Sequence, residues 1–220
     1  MADVILLSTA DWDHPLWTNK QHLAVSLADA GHRVLYVDSL GVRSARAGRS
    51  DAGRILRRLR RSLTPLRKVR ERIWVLSPLV VPGQVSGLAG RLNRWSLNLA
   101  LFWADWCLDL RTPLLWTFNP YTRFYLKLGR FHSTIYHCVD RIQAQPGMPV
   151  VALETAEQDL CGAVNAVFTT APQLQKTLAP LNGGTHLFGN VADAGHFAQA
   201  RSDLVQRPRD LPTSDGPCLM

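Results

Sequence analysis

The sequence predicts an α/β protein built on a doubly wound parallel sheet of about seven strands, and three observations lead to this fold class. Short apolar segments rich in Val, Ile and Leu alternate with segments of helical periodicity over about 190 residues. The apolar segments are continuous, which is typical of parallel strands covered on both faces. The first two of them flank a helical segment, and this is the βαβ pattern. Together these observations predict a Rossmann-like sheet.

The first βαβ unit is predicted within the first 40 residues. Residues 3–9 form the first strand, and residues 10–15 form a loop. Leu16, Leu23, Leu27 and Ala28 then recur near helical spacing, and Gly31 stands where a C-capping glycine is expected. The second strand follows at residues 32–39.

The remaining elements follow the same alternation. Strands are predicted at residues 73–81, 114–120, 134–139, 166–170 and 185–190, and helices at residues 86–110, 121–128, 150–160 and from Pro172 onward. The predicted core includes four tryptophans on these elements, namely Trp95, Trp103, Trp106 and Trp116.

Residues 1–200 are predicted to form one Rossmann-like domain with a basic amphipathic insert at residues 43–72. Residues 201–220 contain three prolines and no sustained periodicity, so they are interpreted as a linker and the start of a further domain. A chain of 220 residues can bury a sizeable core without disulfides or metals.

Composition and cysteine usage narrow the class of protein. Apolar residues make up 46% of the chain and charged residues 19%, which is ordinary for a globular protein. The four cysteines show no CxxC spacing and no neighbouring histidine cluster, which argues against a zinc site or a thioredoxin-like motif. Cys107, Cys138 and Cys161 lie in apolar segments and are interpreted as buried, reduced thiols.

No targeting or membrane-spanning segment is predicted. The N-terminus lacks a basic region before its short apolar segment, so it does not resemble a signal peptide. The longest apolar stretch, residues 88–110, contains four charged residues. The expected location is therefore cytoplasmic.

The net charge of +8 is concentrated in one segment. Residues 43–72 contain 12 basic and 2 acidic residues, whereas the remainder contains 13 basic and 15 acidic residues. Ile55, Leu59, Leu63 and Leu66 lie on one helical stripe, which Pro65 would kink or end. The basic residues beside this stripe are assigned to binding an anionic membrane surface: Arg54, Arg57, Arg58, Arg61, Arg67 and Lys68.

Two other interpretations of the basic segment stay open. It could be a solvated, partly disordered insert. Nucleic-acid binding is the third interpretation, but the segment has no interleaved aromatic residues and no known motif, which argues against it.

Four short patterns occur in order along the chain. They are QHLAVSLADAGHRV at residues 21–34, YHCVD at residues 136–140, Glu154 followed by AVFTT at residues 166–170, and NVAD at residues 190–193 followed by Phe197. They resemble LA..LA..GH.V, Y.CVD, E......AD.VF.TS and NGVD...F of the N-terminal domain of retaining, family-4 GT-B glycosyltransferases. Among these, the chain looks most like the teichuronic-acid-biosynthesis type.

The resemblance implies transfer of a sugar from a nucleotide-sugar donor to a membrane-associated glycan or lipid acceptor in envelope polysaccharide synthesis. It implies no cofactor and no metal, since the nucleotide sugar is a substrate. The family's donor-binding C-terminal domain is absent from these residues, so this chain alone is expected to be weakly active or inactive, and peripheral on the inner face of the cytoplasmic membrane. The alternative is a non-catalytic Rossmann-like module that binds a membrane surface or a partner protein.

The family's glycine-rich loop after the first strand is a point of departure, because residues 8–14 contain no glycine. Asp13 and His14 in this loop are candidates for binding acceptor hydroxyls or for proton transfer. Asp11 and Trp12 are candidate substrate-binding residues, and the rings of Trp12 and Trp17 could stack on a sugar. Alternatively, Asp11 or Asp13 caps the following helix, with Pro15 in its first turn.

Further candidates follow the fourth and fifth strands, because ligands of doubly wound sheets lie beyond the carboxyl ends of the strands. Asn119 and Pro120 are assigned to substrate binding, with a turn as the alternative. Asp140 is a candidate catalytic residue that orients an acceptor hydroxyl, and Arg141 is a candidate substrate-binding residue. For this pair a salt bridge or a cap is the alternative, and His137 is interpreted as a core residue.

Overall fold

The computed structural model describes residues 1–40, 65–81, 85, 87–192 and 194–199. Most of the predicted basic insert, including Arg54, Arg57, Arg58 and Arg61, therefore lies outside the described residues, as does the predicted linker at residues 201–220. The chain divides into two compact units, Met1–Gly189 and Asn190–Met220. In the second unit, the structure describes one short helix, Ala194–Ala198.

The first unit is an α/β structure around a mostly parallel sheet of eight strands, which confirms the predicted fold class. The strands are β1 (Asp3–Leu7), β2 (Arg33–Val37), β3 (Leu66–Arg70), β4 (Ile73–Leu76), β5 (Leu114–Thr117), β6 (Ser133–Cys138), β7 (Ala166–Thr169) and β8 (Thr185–Leu187). Their order in the sheet is β3-β4-β2-β1-β5-β6-β7-β8. The order therefore reverses at β1, as it does in Rossmann-like sheets.

Helices connect the parallel strands. They are α1 (Asn19–Asp29), α2 (Leu88–Leu108), α3 (Thr122–Tyr125), α4 (Val150–Cys161) and α5 (Pro172–Leu178), and the helix of the second unit is α6 (Ala194–Ala198). Short 3₁₀ turns lie at Leu128–Arg130 and Ile142–Ala144.

Strand β3 was not predicted, and it corrects part of the interpretation of the basic segment. Arg67 and Lys68, which were predicted to lie beside a helical stripe, belong to this strand, and β3 pairs antiparallel with β4. Arg72 has a positive φ of 63° in the turn that joins the two strands. The sequence LRKVR contains three basic residues and no continuous apolar run, which suits an edge strand, so the pattern that predicts buried parallel strands does not include it.

The two faces of the sheet are covered by different helices. On one face, Ala24 and Ala28 of α1 pack with Leu6, Tyr36 and Val75 from the strands. On the other face, residues of α2, α3 and α4 pack with residues of β1, β2 and β5, and α4 and α5 cover β6 and β7. The sheet is therefore doubly wound, as predicted.

Helix α2 buries a face that was not the predicted one. Its buried residues are Gly90, Asn93, Leu97, Leu101 and Ala104. The side chains of Trp95 and Trp106 are 66% and 78% exposed, and Trp103 is also exposed, so the prediction that these three belong to the core is wrong. Leu97, Leu101 and Ala104 form an equally regular apolar face, and periodicity alone does not indicate which of two apolar faces meets the sheet.

The cysteines follow the prediction in part. Cys138 and Cys161 are buried, and burial raises the pKa of both thiols, to about 12 for Cys161, so both are protonated at neutral pH. Cys107 is exposed near the end of α2, which corrects its predicted burial.

Candidate functional site

The sheet order places a crevice between the carboxyl ends of β1 and β5. Strand β1 lies between β2 and β5, and the chain moves to opposite sides of β1 in its two halves. Ligands of open α/β sheets bind where the strand order reverses in this way. The predicted loops after β1, β5 and β6 all leave the sheet at this edge.

The loop after β1 is held by the hydroxyl of Tyr36. This hydroxyl donates a hydrogen bond to the carbonyl of Ala10 at 2.9 Å and lies 2.7 Å from the Oγ of Ser8. The Ser8 hydroxyl also accepts a hydrogen bond from the amide of Ala10. Burial raises the pKa of Tyr36, so the phenol stays protonated and can keep donating. A side-chain network thus fixes a loop that contains no glycine.

Trp12, in the same loop, is held by a hydrogen bond from its backbone and by packing of its ring. Its amide donates to the Asp38 carboxylate at 2.7 Å, and the hydroxyl of Ser77 donates to the other oxygen of Asp38 at 2.6 Å. The Trp12 ring is buried and packs edge-on against Tyr36, with 5.2 Å between centroids. Trp17 lies 5.1 Å from Trp12 and is exposed, so its ring is the one accessible to a sugar.

The acidic residues of this loop do not cap α1. The helix begins at Asn19, and the N-cap is Thr18. The side-chain carbonyl of Gln21 accepts a hydrogen bond from the Thr18 amide at 3.0 Å. The proposed cap by Asp11 or Asp13 with Pro15 in the first turn is therefore wrong, because the Thr18–Gln21 pair satisfies this terminus.

The structure gives Asp11, Asp13 and His14 other contacts. The carbonyl of Asp11 accepts a hydrogen bond from the side chain of Gln21 at 3.0 Å. The carboxylate of Asp13 accepts one from Arg67 at 2.7 Å, which links the loop to β3. The Nδ1 atom of His14 lies 2.7 Å from the carbonyl oxygen of Leu16, at the exposed surface. Their predicted roles toward acceptor hydroxyls stay predictions.

Asn119 and Pro120 form the turn that was the alternative to substrate binding. Both are buried after β5. The side-chain oxygen of Asn119 accepts a hydrogen bond from the Tyr121 amide at 2.9 Å, and its carbonyl accepts one from the Thr122 amide at 3.1 Å. This turn directs the chain from β5 into α3.

Asp140 and Arg141 separate after β6. The Asp140 carbonyl accepts a hydrogen bond from the Ile142 amide at 2.9 Å, which starts a 3₁₀ turn, and its side chain is exposed. Arg141 lies 3.6 Å from the Glu154 carboxylate, so it forms the salt bridge that was one of its alternatives. Asp140 therefore stays available to the crevice.

Lys20 was not among the predicted site residues, although it interacts with residues that follow β5 and β6. It lies in the first turn of α1, and its ammonium nitrogen is 5.2 Å from the centroid of the Phe118 ring after β5. Burial lowers the pKa of Lys20, while the charge of Asp140 opposes this shift. A cation in the first helical turn faces the positive end of the helix dipole, which is unfavourable. That unfavourable placement is the sequence signal that could have identified Lys20.

His137, interpreted from sequence as a core residue, faces the same crevice. Its Nδ1 atom accepts a hydrogen bond from the Trp116 indole at 3.3 Å, which places the proton on Nε2. Burial and the charge of Lys20 lower the pKa of His137 to about 4, so the ring is neutral at pH 7. The buried Nε2 has no hydrogen-bond partner among the described residues.

Aromatic rings surround His137 on this face of the sheet. Its ring stacks on Phe118 with 4.9 Å between centroids, and Phe168 lies 6.2 Å away. Phe168 in turn contacts Phe188 at 4.8 Å. A neutral N–H donor among rings, with a partly desolvated ammonium beside it, can bind an anionic or hydroxyl oxygen and exclude water from it.

Two further findings concern metal sites and membrane-spanning helices among the described residues. They contain no group of three His, Cys, Asp or Glu side chains arranged to bind a metal ion. None of the helices in the described part of the chain combines the length and apolar character that a bilayer crossing requires.

The fold is similar to that of a solved sucrose-phosphate synthase structure from Thermosynechococcus elongatus. The TM-score is 0.55 with 12% sequence identity, and the similarity covers 90% of this chain and 94% of that chain. No protein-family description matches the sequence. The search of curated proteins also gave no match.

Proposed function

We propose that this chain is the acceptor-side domain of a glycosyltransferase of the GT-B kind. The complete enzyme would transfer a sugar from a nucleotide-sugar donor to a membrane-associated glycan or lipid acceptor in envelope polysaccharide synthesis. The observation that carries this proposal is that the charge of Lys20 lies beside His137, whose Nε2 has no hydrogen-bond partner among the described residues, near the carboxyl ends of the strands. The similarity of the fold to that of a sucrose-phosphate synthase is consistent with it.

Each group in the crevice has a defined chemical capacity. Lys20 can neutralise a phosphate oxygen, and its burial strengthens that attraction relative to a lysine in water. His137 is neutral, so it can donate a hydrogen bond from Nε2 but cannot act as a general acid at pH 7. Asp140 can accept a hydrogen bond from an acceptor hydroxyl, and Trp17 offers an exposed ring for stacking.

Proton transfer in the complete enzyme is assigned to the predicted catalytic residues Asp13, His14 and Asp140. Asp13 and His14 lie in the loop after β1, and Asp140 follows β6. All three side chains are exposed, and the Asp13 carboxylate also forms an ion pair with Arg67 of β3. Most of the donor-binding groups are expected in a further domain, while this chain would form one wall of the donor cleft, so the isolated chain should bind the donor weakly and turn it over weakly or not at all.

Ligand-observed NMR with uridine diphosphate, guanosine diphosphate and a simple hexose tests this assignment. We expect millimolar binding of a nucleoside diphosphate to the isolated chain and an increase in Kd of about tenfold for Lys20→Met, because the phosphate loses its counter-charge. Lys176→Met on the exposed surface of α5 is the matched control and should leave Kd unchanged. Absence of diphosphate binding to the wild type, or equal Kd values for wild type and Lys20→Met, would contradict the proposal.

The membrane part of the proposal is tested with vesicles. We expect binding to vesicles that contain anionic lipid at low salt and none to neutral vesicles, because each basic residue near an anionic surface contributes about 1 kcal/mol. Replacing Arg54, Arg57, Arg58 and Arg61 with Gln should abolish this binding. Vesicle binding without diphosphate binding would instead favour the non-catalytic module.

A further inference from the structure

Helix α2 carries an apolar stripe on the side opposite its buried face. The stripe consists of Leu88, Leu92, Trp95, Leu99, Phe102 and Trp106. All six side chains are exposed, and Trp103 extends the stripe on one flank. A helix at the surface of a protein normally presents polar residues there, so an exposed apolar surface of this size indicates a binding partner.

The spacing of the stripe is that of a helix–helix seam. Successive members are separated by four, three, four, three and four residues along the sequence. This alternation is the a/d pattern of a coiled coil, in which Leu92, Leu99 and Trp106 occupy a positions and Leu88, Trp95 and Phe102 occupy d positions. The stripe is therefore suited to a second helix of similar length.

We propose that the stripe binds the same stripe of a second copy of this chain, with the two α2 helices antiparallel about a twofold axis. In this register Leu88 packs against the partner's Trp106, Leu92 against the partner's Phe102, and Trp95 against the partner's Leu99. Every layer joins one leucine to one aromatic residue, so large and small side chains alternate across the seam. A twofold interface requires this kind of self-complementary surface.

The flanks of the stripe are complementary in the same register. Arg91 lies on one flank near the start of α2, and Asp105 lies on the same flank near its end. Antiparallel pairing places Arg91 opposite the partner's Asp105 twice in the dimer. On the other flank Ala89 faces the partner's Trp103, and Ser96 lies beside the partner's Ser96 at the axis. A parallel pair would not bring Arg91 and Asp105 together, because it keeps these two residues at opposite ends of the paired helices.

The available area is sufficient for a specific dimer. The seven large side chains are between 38% and 78% exposed. If each has a total area of about 200 Å², together they expose on the order of 800 Å² per copy. This is the area that each partner contributes to a typical specific interface, about 800 Å².

The charges of α2 favour a second copy over a lipid surface. The helix contains Arg91, Arg94 and Asp105 and no lysine. Helices that lie in a membrane interface are rich in basic residues along the polar side. The opposite charges of Arg91 and Asp105 lie on one flank, symmetrically about Asn98, and this arrangement matches an antiparallel copy.

Sedimentation equilibrium of the full chain at micromolar concentration tests the dimer. We expect twice the monomer mass for the wild type and the monomer mass for Trp95→Glu, with unchanged far-UV circular dichroism because Trp95 is outside the core. Val151→Glu, which changes an exposed apolar residue on α4, is the matched control and should remain dimeric. A monomeric wild type overturns the proposal, and so does a dimeric Trp95→Glu.

Charge reversal tests the antiparallel register. Arg91→Asp alone and Asp105→Arg alone each place like charges opposite each other, and each should raise the dimer Kd about tenfold. The double variant Arg91→Asp/Asp105→Arg restores both pairs and should recover a Kd close to that of the wild type. Additive weakening in the double variant would show that these residues do not face each other.

Cross-linking supplies a measurement that does not depend on affinity. In a background of Cys107→Ser and Cys218→Ser, Ser96→Cys should form a covalent dimer with a short bis-maleimide, because the two Ser96 positions meet at the axis. Arg91→Cys should not, because an offset of 14 residues separates the two Arg91 positions by about 21 Å. Cross-linking of Arg91→Cys without cross-linking of Ser96→Cys would overturn the register. If the wild type is monomeric and Trp95→Glu abolishes its binding to vesicles, the stripe binds lipid and the dimer proposal is overturned.

Discussion

At the residue scale, Asp3 joins three parts of the chain near the start of β1. Its carboxylate accepts hydrogen bonds from Nε and Nη2 of Arg33, both at 2.6 Å, and from the Arg111 amide at 2.7 Å. Arg33 also donates to the Leu108 carbonyl at 2.9 Å, at the end of α2. One ion pair thus links β1, β2 and the end of α2.

Replacing Asp3 with Asn should reduce the free energy of unfolding by about 2 kcal/mol at pH 7, because the buried end of an ion pair is lost. Burial raises the pKa of Asp3, but hydrogen bonds from Arg33 and Arg111 outweigh this and hold the pKa below its usual value. The stabilisation by the ionised Asp3 carboxylate is therefore complete above about pH 4, the pKa in the unfolded chain. It is lost as the pH falls through the lower pKa that Asp3 has in the folded protein.

Urea denaturation at pH 7 and at pH 3 measures this difference. The gap between wild type and Asp3→Asn should narrow at the lower pH. Asp29→Asn, an exposed position at the end of α1, serves as the control and should change stability by less than about 0.5 kcal/mol. A gap that stays constant with pH would contradict the assignment to the ionised carboxylate.

The lowered pKa of Lys20 predicts the pH dependence of diphosphate binding. An anion binds the ammonium and not the amine, so binding should weaken as pH rises through the pKa of Lys20, which lies below the usual lysine value of about 10.4. The NMR titration repeated between pH 7 and pH 10 measures this. A Kd that is constant over that range in the wild type would argue that another group carries the charge.

At the element scale, the turn between α1 and β2 depends on Gly31, which has a φ of 92°. A side chain added there would place its Cβ 3.1 Å from Nη1 of Arg72, and an L-residue is strained in this backbone region. We expect Gly31→Ala to reduce the free energy of unfolding by about 1–2 kcal/mol. Gly129→Ala is the control, because a Cβ added at Gly129 has no atom within 4 Å. Chemical denaturation should show a smaller loss of unfolding free energy for Gly129→Ala than for Gly31→Ala.

The elements also show where sequence patterns were informative. The seven predicted strands match seven strands of the sheet because buried parallel strands are continuous apolar segments. The strand predicted at 73–81 ends at Leu76, and the backbone of Val81 instead hydrogen-bonds to the side chain of Asn93 on α2. Strand β3 has no apolar run, so only its pairing with β4 reveals it.

At the scale of the whole molecule, the order of the strands determines which backbone amides exchange most slowly. Strands β1, β2 and β5 lie inside the sheet with cores on both faces, whereas β3 and β8 are its edges. Hydrogen exchange should therefore be slowest in β1, β2 and β5 and fastest in β3 and β8. Equal protection in β8 and β1 would contradict this, and mass spectrometry of peptic fragments can measure it.

Only part of the candidate site at the crevice could be predicted from the sequence. Parallel strands end at one edge, so the loops after β1, β5 and β6 could be predicted to converge. The contributions of Lys20 and His137 depend on side-chain direction across the loops. Trp116 and Phe118 fix the His137 ring, and such contacts between separate strands are not encoded in local spacing. The buried face of α2 could not be chosen for the same reason, because both of its faces are apolar.

The antiparallel β3 has a consequence for the behaviour of the protein in concentrated solution. An uncovered sheet edge is a template on which strands of other molecules can pair and form fibrils. Here one edge is β3, which carries Arg67, Lys68 and Arg70, and the other is β8, which is only three residues long. The positive charges of one edge strand and the short length of the other should prevent strands of other molecules from adding to the sheet. Neutral substitutions at Lys68 and Arg70 should therefore promote aggregation.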